Sequence, residues 1–122
     1  MMNMEGSTER HQVRASLRVL EGTRKGQSFD LNRDVVRVGF TTEDGNDIGL
    51  NDDYVSTFHG RFEETELGWV YIDQESRNGS HIVLEDGGKQ ALEPEKPRLL
   101  TFGDVLELGD TRLRLEARYE SA

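Results

Sequence analysis

Residues 111–119 read TRLRLEARY, with Leu113, Leu115 and Ala117 alternating against Arg112, Arg114 and Glu116. A period of two puts the apolar set on one face and the charged set on the other, as in a strand with one buried and one solvated side. The rest of the chain repeats that pattern in shorter runs. DVLEL (104–108) alternates at Val105 and then at Leu106 and Leu108. VVRVGF (35–40) places Val36 and Val38 on one face and Arg37 on the other. SLRVLE (16–21) alternates at Leu17, Val19 and then Leu20, and SFDL (28–31) pairs Phe29 with Leu31. WVYI (69–72) and SHIVL (80–84) are further short apolar runs, and Trp69 reads as a core anchor.

The segments between these runs are turn chemistry: GTRKG (22–26), TEDGND (42–47), RNGS (77–80), EDGG (85–88) and LGDT (108–111). Both prolines, Pro94 and Pro97, fall in one connecting segment. No window of about 12 residues carries a helical period. The expectation is an all-β fold, a two-sheet β-sandwich of about ten or eleven strands, without a repeat or a second domain. The polar opening MMNMEGSTERHQVR reads as a disordered leader over 1–14, where His11 has no assigned role. The domain is expected over 15–118 and a short tail over 119–122.

The chain has 122 residues, the size of one domain, and enough length to bury a core without staples. It contains no cysteine, which excludes a disulfide framework and a thiolate metal site. No apolar run approaches ~18 residues, and no export signal precedes the first strand, so the reading is cytoplasmic. The formal net charge of −9 disfavours nucleic acid and anionic lipid as partners. Exposed charge is screened beyond ~8 Å at physiological salt, however, so a local group of donors can still hold an anion.

Four features stand in order. VRVGF (36–40) ends a strand at Gly39. NDIGLNDDYVSTFHGRF (46–62) carries Ser56-x-x-His59. WVYIDQESRNGSHI (69–82) carries Asn78-Gly79-Ser80. LLTFGDVLELGD (99–110) carries Leu-x-x-Gly-Asp-x-Leu-x-x-Gly from Leu100 to Gly109. Together they resemble the forkhead-associated (FHA) family over about residues 16–115. The resemblance implies a sandwich of FHA/SMAD-like type whose loops meet at one end and bind a phosphothreonine peptide. Ser56 and Thr57 would meet the phosphate, and Asn78 would clamp the peptide backbone. His59, Gly39 and Gly79 would support the site, His59 by bridging backbone groups with its ring nitrogens. The implied partner is a protein modified by a serine/threonine kinase, with no cofactor and no metal. A monomer is favoured, either free-standing or excised from a larger signalling protein.

The chain departs from the family at the phosphate site. Phe40 stands where an arginine usually follows the glycine, Thr57 where a basic residue often follows the serine, and Arg77 where serine or threonine usually precedes the asparagine. The loop FTTEDG (40–45) is longer than typical and acidic. Two readings stay open. In one, Arg77 supplies the missing cation, and Arg61 or Arg37 could assist, strand parity leaving open whether either reaches the site. In the other, the domain is degenerate and makes phosphate-independent protein contacts as a scaffold or regulatory unit.

Other chemistries fit less well. Asp44, Asp47, Asp52 and Asp53 lack the spacing and closing glutamate of a calcium loop. Ser56, His59 and Asp53 are the residue types of a hydrolytic triad, but they crowd into one loop without a nucleophile elbow. The chain is therefore read as no enzyme. Asn78-Gly79-Ser80 matches a glycosylation acceptor, which is irrelevant without export, and Tyr54 is a candidate for packing or peptide contact.

Overall fold

In the computed structural model, which describes residues 13–119, the alternating runs pair into two stacked sheets. The six-stranded sheet runs β2 (Ser28–Asp30), β1 (Val13–Glu21), β11 (Thr111–Tyr119), β10 (Val105–Leu108), β7 (Ser80–Val83) and β8 (Lys89–Ala91). The five-stranded sheet runs β4 (Ile48–Gly49), β3 (Val35–Gly39), β5 (Gly60–Thr65), β6 (Gly68–Asp73) and β9 (Arg98–Leu99). The pairings are antiparallel except β3 with β4. The expected all-β sandwich and its strand number are thus found.

The longest ladder joins β1 to β11, from Val13 opposite Tyr119 to Glu21 opposite Arg112. Val13 and Arg14, expected in the leader, belong to this ladder, as does Tyr119, expected in the tail. Two nine-residue antiparallel strands extend each other by backbone pairing, whatever the polarity of their ends. His11 and the remaining leader and tail positions lie outside the described residues. A register shift between Val19 and Glu21 marks a bulge in β1. It accounts for the break in alternation at Leu20, since an extra residue flips the side-chain parity.

The two inner faces make one core. Leu17, Leu106 and Leu113 come from the six-stranded sheet, and Val36, Val38, Phe62 and Tyr71 from the other; all are at most 2% exposed. Phe62 and Tyr71 pack tilted, with ring centroids 4.9 Å apart. Trp69 is buried in the same core. This packing fixes the strand ends, and with them five connections at one tip of the sandwich: residues 22–27, 40–47, 50–59, 74–79 and 109–110.

Leu113 lies centrally, paired with Leu106 and Val19, and is fully buried. Leu113→Ala is expected to destabilise the fold by about 2–5 kcal/mol through lost burial and the cavity left behind. Urea unfolding followed by Trp69 fluorescence measures this.

Candidate functional site

The tip is assembled by buried polar side chains that cross from loop to loop. His59 is fully buried, and its backbone N–H donates to the Val38 carbonyl at 3.0 Å. Its Nδ1 accepts the Ser56 N–H at 3.0 Å, which requires the neutral ring to carry its proton on Nε2. Nε2–H then donates to the Gly79 carbonyl at 3.0 Å. One imidazole therefore ties the 50–59 loop to the 74–79 loop. Gly79 takes φ +81°, a conformation glycine adopts without a Cβ penalty.

Ser56 is half-buried beside this bridge. Its carbonyl accepts the Phe40 N–H at 3.1 Å, and its Oγ accepts the Arg77 N–H at 2.9 Å. The hydroxyl proton is left to donate outward. Thr57 is exposed. The next residue round the tip, Asn78, is also exposed, and its Nδ2 donates to the Tyr54 carbonyl at 2.9 Å. Its Oδ1 and second N–H make no hydrogen bond among the described residues. The same holds for the Arg77 guanidinium and for the backbone N–H groups of Thr57 and Phe58. Gly39 sits where a Cβ would collide with the Thr57 carbonyl and with Asn46 Nδ2.

The structure thus brings together all seven residues singled out in the sequence: Ser56, Thr57, Arg77, Asn78, Gly39, His59 and Gly79. Arg37 and Arg61 stand elsewhere. They are cross-strand partners on the outer face of the five-stranded sheet, and Arg61 Nε is committed to Glu63 at 2.6 Å. Phe40 is half-buried, and Tyr54 and Phe58 expose 58% and 52% of their surface around the site.

Three further residues hold the tip and were not read from the sequence. Buried Asn46 donates through Nδ2 to the Thr41 and Thr57 carbonyls at 3.0 and 2.7 Å. Buried Asp52 accepts from Tyr54 N–H, Asp110 N–H and Thr111 Oγ1, each within 2.9 Å, so it joins the 50–59 loop to the β10–β11 turn. Buried Asp73 accepts from the hydroxyls of Ser76 and Ser80 at 2.6 Å. Tyr71 extends this chain to Ser80 Oγ at 2.8 Å, and burial pushes its hydroxyl far above the usual tyrosine range, so it stays protonated. The bonds of Asp52 to Tyr54 and of Asp73 to Ser76 are local turn chemistry; the bonds of Asn46 to Thr57 and of Asp52 to Asp110 and Thr111 span the sequence and carry no local signal. Asp47 accepts the Arg37 N–H at 2.8 Å and Arg33 Nη1 at 3.2 Å.

Comparison with known proteins agrees with the geometry. Residues 18–119 match the family described as the inner membrane component of T3SS, cytoplasmic domain, a family of the same fold as the neighbours that follow. A solved FHA domain from Arabidopsis thaliana is 31% identical with a TM-score of 0.73, covering 89% of this chain and 87% of that one. The chain belongs to the FHA family. An FHA domain-containing protein of Arabidopsis thaliana is 36% identical over 101 residues, 80% of this chain. The chain spans 25% of that relative's length. Mycobacterium tuberculosis EmbR, solved in complex with a low-affinity phosphopeptide, shares the fold at 24% identity and a TM-score of 0.71. That match covers 86% of this chain and 24% of the other. As an FHA domain the chain is an interaction module, and no helix among the described residues is long and apolar enough to cross a membrane.

Burial lowers the His59 pKa, and the Gly79 carbonyl, Asp73 and Asp52 oppose that only in part. The unfolded chain therefore binds this proton more tightly than the fold does. Stability present above the ordinary histidine value of ~6.5 is lost as pH falls below it. Urea midpoints at pH 7.5 and 5.5 are expected to fall in the wild type and to fall less in His59→Gln. An equal fall in both would assign the pH dependence to other groups.

Proposed function

We propose that this FHA domain recognises a phosphothreonine-containing peptide at its tip. The observation that carries the reading is the junction of Ser56 and Arg77. The serine hydroxyl fixes the Arg77 backbone at 2.9 Å, and the guanidinium projects from that anchored unit without a partner. A phosphate carries about −1.5 to −2 charge at neutral pH and takes several donors at once. Ser56 Oγ–H, the Thr57 hydroxyl and the N–H groups of Thr57 and Phe58 supply neutral donors. Arg77 supplies the cation that Phe40 does not. Asn78, held by Tyr54, presents its remaining amide groups to the peptide backbone beyond the phosphothreonine. The partner is then a substrate of a serine/threonine kinase, met in the cytoplasm by a monomeric domain.

A second reading has its own observation. Tyr54 and Phe58 are more than half exposed beside Phe40, which gives the tip an apolar rim. Such a rim suits phosphate-independent contact with a protein partner, as in a scaffold or a regulatory domain of a larger protein.

Calorimetric titration with matched threonine and phosphothreonine peptide libraries separates the two. Phosphothreonine recognition predicts binding of the phosphorylated set alone. Charge-assisted hydrogen bonds of ~1.5–3 kcal/mol imply a loss of roughly ten- to a hundredfold in Ser56→Ala and in Arg77→Ala. Equal affinity for both libraries, unchanged in Arg77→Ala, would establish the phosphate-independent reading.

A further inference from the structure

Three turns put glycine directly after asparagine or aspartate: Asp44-Gly45, Asn78-Gly79 and Asp86-Gly87. A glycine there leaves the peptide nitrogen unshielded, because no Cβ stands beside it. Such a nitrogen can attack the side-chain carbonyl of the residue before it. The three turns differ in whether that nitrogen is occupied. The Gly45 N–H donates to the Thr42 carbonyl at 3.0 Å, and the Gly87 N–H to the Leu84 carbonyl at 2.9 Å. The Gly79 N–H makes no hydrogen bond among the described residues. The groups under attack differ as well. An ionised carboxylate repels a nucleophile, and a neutral amide does not. The Asp86 carboxylate is moreover held by the Gly88 N–H at 2.8 Å.

The other described asparagines are worse placed. Asn46 is buried, and its Nδ2 is held by two carbonyls. The nitrogen after it, of Asp47, donates to the Arg37 carbonyl at 2.9 Å. Asn32 and Asn51 are exposed, but Arg33 and Asp52 follow them, and a Cβ crowds each of those nitrogens. Asn78 combines an exposed amide, an unengaged Oδ1 and a following glycine whose N–H is free.

We propose that Asn78 is a self-acting modification site, at which loss of the side-chain amide remodels the tip. The Gly79 nitrogen bonds to Asn78 Cγ, the Cγ–Nδ2 bond breaks, and ammonia leaves with the proton that the Gly79 nitrogen gives up. The product is a cyclic imide. Water then opens the ring at either carbonyl, giving aspartate or isoaspartate. The net change is amide plus water to carboxylic acid plus ammonia, with no oxidant or reductant. Both products alter what holds the tip. A carboxylate cannot donate to the Tyr54 carbonyl, which Asn78 Nδ2 meets at 2.9 Å. Isoaspartate also adds a carbon to the main chain between two anchored points. These are the Arg77 N–H on Ser56 Oγ at 2.9 Å and the Gly79 carbonyl on His59 Nε2 at 3.0 Å. Either product sets a negative charge in the residue next to Arg77. None of this rests on the function proposed for the tip.

The whole chain is to be aged, folded and in urea, at neutral and at mildly alkaline pH. Mass spectrometry of digests reads a gain of one mass unit at each asparagine, and an isoaspartate-specific carboxyl methyltransferase reads methyl acceptance. In the folded chain Asn78 is expected to convert at least tenfold faster than Asn32, Asn46 or Asn51, and faster as pH rises and the nitrogen loses its proton more readily. Methyl acceptance is expected there ahead of Asp44 and Asp86. In urea the Asn78 rate is expected to stay within about tenfold of the folded rate, since the attack needs only that nitrogen and Cγ reach a reactive geometry. Amide NMR of the aged chain is expected to show shifts at Ser56, Arg77 and Gly79, a share of which the Asn78→Asp variant reproduces. Asn78→Gln, which must close a larger ring, is expected to stay unmodified over the same time, and Trp69 fluorescence in urea reports its folding. Conversion in urea alone would overturn the proposal, because the folded turn would then hold the nitrogen away from Cγ. Earlier conversion at another asparagine, or earlier methyl acceptance at Asp44 or Asp86 in the folded chain, would overturn it too. So would an aged chain whose tip amides stay in place despite the mass gain.

Discussion

The tip of this sandwich depends on one neutral imidazole. His59 accepts at Nδ1 from the Ser56 N–H and donates from Nε2 to the Gly79 carbonyl, with no solvent exposure. No other ordinary side chain offers an acceptor and a donor on opposite sides of a rigid ring at neutral pH. The bridge joins two loops that leave the β5–β6 ladder, where the Gln74 N–H already donates to the His59 carbonyl at 2.9 Å, and it ties them a second time further out, at Ser56 and Gly79. Its energetic weight comes from the alternative: two part-buried backbone groups would lose their partner, at up to ~1–3 kcal/mol each.

The other loop connections follow the same physical rule with different chemistry. Asn46 spends one amide nitrogen on two carbonyls, Asp52 gathers three donors, and Asp73 gathers two hydroxyls and the Ser76 N–H. Loops carry many backbone groups with no ladder partner, and a buried carboxylate or amide is a compact way to satisfy several of them. None of the described buried side-chain nitrogen or oxygen atoms lacks a hydrogen bond. The exposed groups of Arg77, Thr57 and Asn78 are consequently left over after the scaffold has been satisfied, and a ligand need not compete with the fold for them.

Much of the fold was legible in the sequence because its signals are local. Alternation at Leu113 and Leu115, or at Val36 and Val38, follows from the period of a strand, and the tip turns announce themselves in Asn78-Gly79 and in the glycines around them. Ser56, His59 and Asn78 were legible only through spacing that resembles a known family. The bonds of Asn46 to Thr57 and of Asp52 to Thr111 were not legible, since these partners meet only once the loops converge at the tip, and nothing local marks Asp73 as the acceptor for both Ser76 and Ser80. The fate of Arg61 shows the same limit. Strand parity in the sequence left open whether it reaches the tip, and its place in β5 turns it to the outer sheet face beside Glu63.

Net charge says little about the anion site proposed at the tip, because that site is local. At physiological ionic strength a carboxylate more than ~8 Å from a docked anion is largely screened, while a guanidinium in contact is not. In the reading proposed for the tip, selectivity for an anion would rest on neutral donors held rigidly and a single cation on a fixed peptide unit, so that geometry discriminates more than charge. The contacts proposed there are short hydrogen bonds from half-buried Ser56 and from the exposed Thr57, Arg77 and Asn78, so salt is expected to weaken the single cationic contact more than the neutral ones.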